Sequence, residues 1–319
     1  MGNQEGLAVL FRKKRYIVLL LIILIFLFHD KLSFQNVQKH GNALIDRVEQ
    51  TWRGLKTPEL AGVEGQAVLI MDRDTRELLY SDHGKKKMYP ASTTKILTAL
   101  ILLKKSAPDD EVTVGDEVLL RTPDESSAGL VPGEKLTVRD LTAAMMLPSG
   151  NDAARTAAAY ITELETGERQ SPEQAIAYFA KLMNEKAKEL GAVNSHFVNP
   201  HGLHDPDHYS TAYDMALIAR EAMNLEVFNE LVGETEYAAD LEGQGDHLFQ
   251  NRNKLLNSNG EWYFQGANGV KTGYTEKAGY CLVGSAVREE RELITVVLHS
   301  TEQGVWSDTV KLLDYGFRI

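Results

Sequence analysis

The chain has 319 residues, 34 Lys and Arg against 45 Asp and Glu, a formal net charge of −11 and 43% hydrophobic residues. That composition argues against a disordered chain, a collagen or a multi-span membrane protein, and the acidic excess argues against a nucleic-acid partner, which calls for concentrated Lys and Arg. The length fits roughly two units of about 150 residues, or one larger domain with subdomains. At the N-terminus, Arg12, Lys13, Lys14 and Arg15 precede an unbroken apolar run over residues 16–28. A basic flank of this kind keeps the N-terminus in the cytoplasm and sends the rest of the chain outside. As a helix the run spans only ~20 Å, short of the ~30 Å hydrocarbon core, and its length alone suits a signal peptide. The exit His29-Asp30-Lys31-Leu32-Ser33-Phe34 carries no small-x-small cleavage pattern, so residues 1–30 read as a cytoplasmic tail and uncleaved signal anchor, with secretion as the outcome if cleavage occurs. Gly6 stands where myristoylation would need Ser or Thr.

Residues 31–62 read as a polar, partly helical stalk, and residues 66–80 as a strand hairpin turning around Asp72 to Thr75. After Pro90, residues 92–104 are apolar almost all round, which predicts a buried helix. Pro132-Gly133 marks a turn before a helix over 138–147 that Pro148 ends. Further helices start near Asn151 and run over 172–190, closed by Gly191. A loop rich in His, Asp, Pro and Gly covers 194–210, and 211–223 returns to helix. From about Ala267 the pattern becomes strands, over 269–274, 279–287 and 292–299, followed by a last helix over 305–315. Strands near both ends with helices between predict one sheet assembled from the two chain ends, an α+β fold. The one cysteine, Cys281, reads as a buried free thiol with no partner for an internal disulfide.

Three short motifs carry the chemistry. Ser92-Thr93-Thr94-Lys95 opens the predicted buried helix, where positions three apart share a face and Lys95 can reach the Ser92 hydroxyl. Serine needs a base to become a nucleophile, and a lysine serves only if desolvation or a nearby cation lowers its pKa from ~10.4. A helix start also aims backbone N–H groups at a developing oxyanion. Alone the motif is weak, since a chain of this length expects about one S-x-x-K by chance, and a Ser cap with a solvated lysine would look the same. Ser149-Gly150-Asn151 follows Pro148. It reads either as helix capping or as a second hydroxyl for proton relay with an amide that orients substrate and Lys95. Lys271-Thr272-Gly273 lies on a predicted strand before Tyr274 and Thr275. It reads as an edge strand guarded by lysine, or as a strand that lays a substrate backbone alongside, with Gly273 allowing close approach.

In this order the motifs resemble the S-x-x-K, S-D-N and K-T-G set of penicillin-binding proteins and class A β-lactamases, with Gly150 in the middle position of the second. The chain is more closely similar to the low-molecular-mass serine D-alanyl-D-alanine carboxypeptidases. Supporting stretches are Met88-Tyr89-Pro90-Ala91, Pro132-Gly133-Glu134-Lys135-Leu136-Thr137-Val138, Leu147 to Ala154, Asn199-Pro200-His201-Gly202-Leu203, Asn253-Lys254-Leu255-Leu256 and Gly269 to Thr275. The resemblance covers about residues 60–319. It implies a β-lactamase/transpeptidase-like fold, an antiparallel sheet flanked by helices with a mostly helical lobe, and a catalytic domain over 63–319.

It also implies removal of the terminal D-Ala from peptidoglycan stem peptides through an acyl-enzyme on Ser92, with Lys95 as the base. Lys95, Ser149 and Lys271 would handle protons, Asn151 would orient substrate, and Thr272 and Thr275 would bind the terminal carboxylate. The N–H of Tyr274 would join that of Ser92 around the oxyanion. β-Lactams would acylate Ser92, no metal or organic cofactor is needed, and the N-terminal segment would place the domain outside the cell membrane. Two departures stand out. The stretch from His299 to Asp308 holds no arginine where relatives often bind the carboxylate, leaving Arg252, Arg288 or Arg291 to compensate. The chain also ends at the terminal helix, without the extra β domain and amphipathic anchor of many relatives. A D,D-endopeptidase or a non-turnover penicilloyl-binding sensor are the alternatives, and a class A β-lactamase lacks its glutamate motif here. His201, His204 and His208 with Asp205 and Asp207 invite a zinc site but lack helical metal spacing, so rim or structural contacts are the reading kept. Trp262-Tyr263-Phe264 reads as packing or a groove wall.

Overall fold

Strand β1, Ala67–Asp72, is six residues long and buried throughout, which requires apolar neighbours on both faces. The computed structural model describes residues 60, 62–241 and 245–319. The expected anchor over 1–30, and the expected stalk as far as residue 59, lie outside the described residues. β1 pairs antiparallel with β2, Leu78–Asp82, on one side and with β9, Arg291–Ser300, on the other. β8, Gly279–Arg288, and β7, Ala267–Thr275, complete a five-stranded antiparallel sheet in the order β2-β1-β9-β8-β7. Strands from both ends of the described region share this sheet, as the pattern predicted, and β7 is left as an open edge.

Side-chain alternation divides the sheet between two cores. Val68, Ile70, Leu282, Leu293 and Val297 pack with Trp306, Leu312 and Leu313 of the last helix, Gly304–Gly316. Leu69, Met71, Val283, Val296 and Leu298 face the helical lobe. At the centre of that lobe is α1, Lys95–Lys105, buried at every position from Lys95 to Leu102. Around it stand α2 (Val138–Met146), α3 (Asn151–Thr166), α4 (Pro172–Glu189), α5 (Ala212–Ala222) and α6 (Glu226–Gly233), and the Gly304–Gly316 helix is α7. Local chemistry sets several helix starts. Thr137 with Asp140 and Ser171 with Gln174 form capping boxes, and Pro172 occupies the first turn of α4.

The structure adds short elements to the expected order. β3 (Glu111–Thr113) pairs with β4 (Lys135–Thr137), and β5 (Glu236–Leu241) pairs with β6 (Gly245–Gln250). Three-residue strands and the eight-residue α6 are too short for hydrophobic periodicity to declare them. The helix expected from residue 92 also starts differently. Ala91–Thr94 is a 3-10 turn, tightened by Thr93 Oγ1 donating to Pro90 O at 2.6 Å, and α-helix begins at Lys95. In a 3-10 turn the side chains at i and i+3 eclipse, which sets Ser92 in line with Lys95.

One carboxylate ties the start of this region to its end. Asp308 on α7 is fully buried and its Oδ2 accepts from Glu64 N at 3.0 Å, Gly65 N at 2.9 Å and Ser300 Oγ at 3.2 Å. Asp308→Ala removes the charged acceptor that these three donors share, and we expect it to lower the unfolding free energy by ~1–3 kcal/mol in urea titrations at unchanged denaturant slope. An unshifted midpoint would show that the clamp contributes nothing.

Candidate active site

The turn that presents Ser92 is conformationally unusual. Ala91 lies in the left-handed region at φ 49°, a cost that persists only where the surroundings enforce it. The loop over residues 199–203 does so from behind: a Cβ on Gly202 would sit 1.9 Å from Ala91 O, so only glycine allows the two backbones this close. Further ties are Thr98 Oγ1 donating to Pro200 O at 2.7 Å and the 2.8 Å hydrogen bond between Thr94 Oγ1 and His208 Nε2.

Lys95 is completely buried. Its Nζ lies 3.0 Å from Ser92 Oγ, 2.6 Å from Asn151 Oδ1 and 2.8 Å from His201 O. Burial first, and then the charge of Lys271, push its pKa well below the usual lysine range, against smaller opposing effects of Asp152 and Glu125. A neutral amine has two N–H bonds and one lone pair. The His201 and Asn151 carbonyl oxygens can only accept, so they take the two N–H bonds. The lone pair is then left for the Ser92 hydroxyl.

Ser149, at φ 70°, lines the same cavity as Ser92 and Asn151. The capping alternative for this motif does not describe the structure: Gly150 is the N-cap of α3, and no side chain caps that helix. The side chain of Asn151 is spent on Lys95 instead. Sequence reasoning missed what the next turns of α3 do. The buried Asp152 accepts from Ser127 Oγ at 2.5 Å and from the N–H groups of Ala128, Gly129 and Leu130. Arg155 donates to both oxygens of Glu125, at 2.6 and 2.7 Å, in a buried pair. These contacts hold the segment over 122–130, whose residues Thr122 to Ser126 line the cavity. The Asp directly after Ser-Gly-Asn was the available signal.

Strand β7 closes the other side. A Cβ on Gly273 would lie 2.9 Å from Ser92 N, so the strand approaches the Ser92 turn as closely as backbone allows. Thr272, Gly273, Tyr274 and Thr275 line a cavity of about 560 Å³ together with Ser92, Ser149 and Asn151. Thr275 Oγ1 also accepts from Ala278 N at 3.0 Å, which caps the turn into β8. Lys271 is 2% exposed, and burial followed by the Arg252 charge lowers its pKa to about 7. Among the described residues its Nζ makes no hydrogen bond or ion pair.

Of the three candidate arginines, only Arg252 lines this cavity, with Nη1 donating to Ser126 Oγ at 2.8 Å. Arg291 is held by Asp72 at 3.1 Å and Gly316 O at 2.9 Å, and Arg288 lies over the rings of Phe264 and Phe317. Lys254 and Trp306, which sequence reasoning did not connect with the site, also line the cavity.

The histidine loop does structural work. His201 and His208 are buried and lose basicity through burial, His208 to about 4. His201 Nδ1 accepts from Leu203 N and His208 Nδ1 from Val198 N, both at 3.2 Å. Among the described residues no group of three or more His, Cys, Asp or Glu is placed to hold a metal ion. Cys281 is buried as expected, and burial pushes its thiol up to about 12.

Comparison with known proteins gives a consistent result. Residues 54–302 match the family Peptidase S11, described as D-alanyl-D-alanine carboxypeptidase. The chain is 36% identical over 273 residues to the D-alanyl-D-alanine carboxypeptidase DacF of Bacillus subtilis, covering 83% of this chain and 64% of that protein. It is 34% identical to the D-alanyl-D-alanine carboxypeptidase of Streptomyces sp. strain K15, covering 82% of this chain and 89% of the relative. The match thus spans less than two thirds of the Bacillus protein and most of the Streptomyces one. The crystal structure of the Streptomyces K15 DD-transpeptidase superposes with a TM-score of 0.73 at 32% identity, covering 83% of this chain and all of that one.

Burial of Lys271 has a thermodynamic sign. Unfolded lysine holds its proton up to ~10.4, whereas the folded group releases it at about 7. Between these values the unfolded chain binds more protons, so stability rises with pH, and the penalty is complete below about 7. We expect the unfolding free energy to climb between pH 7 and 9, and to climb less steeply in Lys271→Met, by up to about 1 kcal/mol per pH unit. Parallel slopes in denaturant titrations would refute the depressed pKa.

Proposed function

The chain belongs to the Peptidase S11 family of D-alanyl-D-alanine carboxypeptidases, and on that premise we propose that residues 63–319 remove the terminal D-Ala from peptidoglycan stem peptides through an acyl-enzyme on Ser92. The single observation that carries the reading is Lys95: a desolvated amine 3.0 Å from Ser92 Oγ whose two N–H bonds are taken by carbonyl acceptors. As Ser92 Oγ bonds to the carbonyl carbon of the penultimate D-Ala, its proton passes to Lys95 Nζ, and the charge that develops on the carbonyl oxygen meets the N–H groups of Ser92 and Tyr274. The proton then reaches the departing amine by way of Ser149, the C–N bond breaks, and free D-Ala leaves. Water attacks the remaining ester, giving its proton to neutral Lys95; the acyl C–Oγ bond breaks, and Lys95 returns that proton to Ser92 Oγ, which regenerates the resting pair.

The terminal carboxylate is assigned to Lys271, Thr272 and Thr275, with Arg252 supplying the guanidinium missing between His299 and Asp308. Two features support this. Lys271 is a buried cation whose Nζ, among the described residues, has no acceptor. Arg252 opens into the same cavity as Thr272. A β-lactam presents the same carboxylate and a strained amide, so it acylates Ser92 in the same way. Residues 1–30 are assigned as signal anchor and 31–62 as stalk, holding the catalytic region outside the membrane. Among the described residues no helix is long and apolar enough to cross a membrane.

The test is free D-alanine released by the full chain from a peptide ending in Lys-D-Ala-D-Ala. Ser92→Ala is expected to abolish release and labelling by a fluorescent penicillin, and Lys95→Ala to slow acylation by ~10²–10⁴-fold. Arg252→Ala should raise KM about tenfold or more with little change in kcat, as expected for losing one charge-assisted hydrogen bond. Penicillin labelling that survives Ser92→Ala would move the nucleophile elsewhere.

A further inference from the structure

A second cavity of about 330 Å³ adjoins the catalytic cleft, lined by Lys254, Asn257, Gly260, Glu261, Trp262 and Gln303. Lys254 lines both cavities, with its Nζ 5.5 Å from the centre of the Trp306 ring. The aromatic trio of the sequence divides here. Phe264 is core, 5% exposed and stacked on Phe317 with ring centres 6.3 Å apart. Trp262 packs on that same core from a half-buried position and gives its remaining surface to the cavity.

The loop that carries the cavity is built rather than slack. Gly260 N donates to Asn257 O at 2.8 Å, Tyr263 N to Gly260 O at 3.3 Å and Phe264 N to Leu255 O at 3.0 Å. Asn257 Oδ1 accepts from Asn259 N at 3.1 Å, which fixes the plane of that amide. Gly260 adds no side chain to the bowl. Gln303 stands at the N-cap of α7, and among the described residues its side-chain amide makes no hydrogen bond.

An indole platform ringed by two primary amides and a carboxylate matches a pyranose. The C–H face of the sugar covers the ring, while its hydroxyl and acetamido groups exchange hydrogen bonds with the two amides, which donate and accept, and donate to the carboxylate, which only accepts. Lys254 and Glu261 balance in charge, so neither an anion nor a cation is selected. We propose that this cavity is a saccharide subsite, taking an N-acetylated hexosamine of the glycan strand from which a stem peptide hangs. The inference rests on the carboxypeptidase reading, because that reading puts the stem in the adjoining cleft. Lys254 lines both cavities, so a sugar held in one lies next to a stem peptide in the other. Holding the sugar would raise the effective concentration of the stem at Ser92 without any new contact to the peptide.

The experiment compares two substrates of the full chain, a disaccharide-pentapeptide and the same pentapeptide without sugar, by steady-state D-alanine release. The wild type should show a KM about tenfold lower for the sugar-bearing substrate. Trp262→Ala should erase that advantage and leave kcat and KM for the bare peptide unchanged. Asn257→Ala, at an exposed position that leaves the core intact, should reduce it severalfold. Equal KM for both substrates in the wild type, or a Trp262→Ala effect equal on both, would overturn the proposal. A calorimetric titration with a peptide-free tetrasaccharide of N-acetylglucosamine gives a second readout that needs no turnover. Saturable binding lost in both variants supports the subsite, and no saturable binding refutes it. Saccharide binding by a chain that releases no D-alanine from either substrate would sink the carboxypeptidase reading and leave the subsite standing.

Discussion

A lysine with no exposed surface cannot keep its proton at ordinary cost, and the rest of the site depends on how Lys95 meets that constraint. It sits on the first turn of a helix buried at every position from Lys95 to Leu102, so water cannot solvate an ammonium there. The Asn151 amide and the His201 carbonyl orient the amine and leave its lone pair for Ser92. The nearby charge of the buried Lys271 further disfavours charge on Lys95. The arrangement is self-consistent only while both lysines remain dry, which explains why three separate parts of the chain converge there.

Each part is held by something outside the site. The loop over 199–203 is pressed against the Ser92 turn at Gly202, and Thr98 and Thr94 tie α1 to that loop and to His208. The first turns of α3 have two functions: Asn151 reaches inward to Lys95, while Asp152 and Arg155 reach outward to the segment over 122–130. Buried ion pairs such as Arg155 with Glu125 return little net stability, because desolvation offsets the attraction, but they fix geometry. Here the fixed geometry is a cavity wall ending at Ser126, which in turn holds Arg252.

The open edge of the sheet completes the design. An unpaired edge strand is a hazard for aggregation unless something covers it. β7 is set against the Ser92 turn, with Gly273 removing the side chain that would have kept the strand off that turn. The second cavity lies beside this cleft, so a substrate carrying both sugar and peptide could be held at two points.

Most local elements and the family resemblance were legible along the chain. Alternating and helical periods announced the sheet from both chain ends and most of the helices, and the three motifs in order named Ser92, Lys95, Ser149, Asn151 and Lys271 as one constellation. These periods missed α6, the β3–β4 pair and the β5–β6 hairpin, of which the three-residue β3 and β4 are too short to show a period. Three things had to wait for the folded chain: that burial lowers the pKa of Lys95, that Asn151 serves the lysine rather than the helix end, and that Arg252 faces the cleft while Arg288 and Arg291 are occupied elsewhere. The fold also separated Trp262 from Phe264, one at a cavity and one in the core. The forces involved differ in range. Propensity, capping and periodicity act over a few residues and are written along the chain, whereas desolvation and juxtaposition depend on segments more than a hundred residues apart closing over the same few atoms.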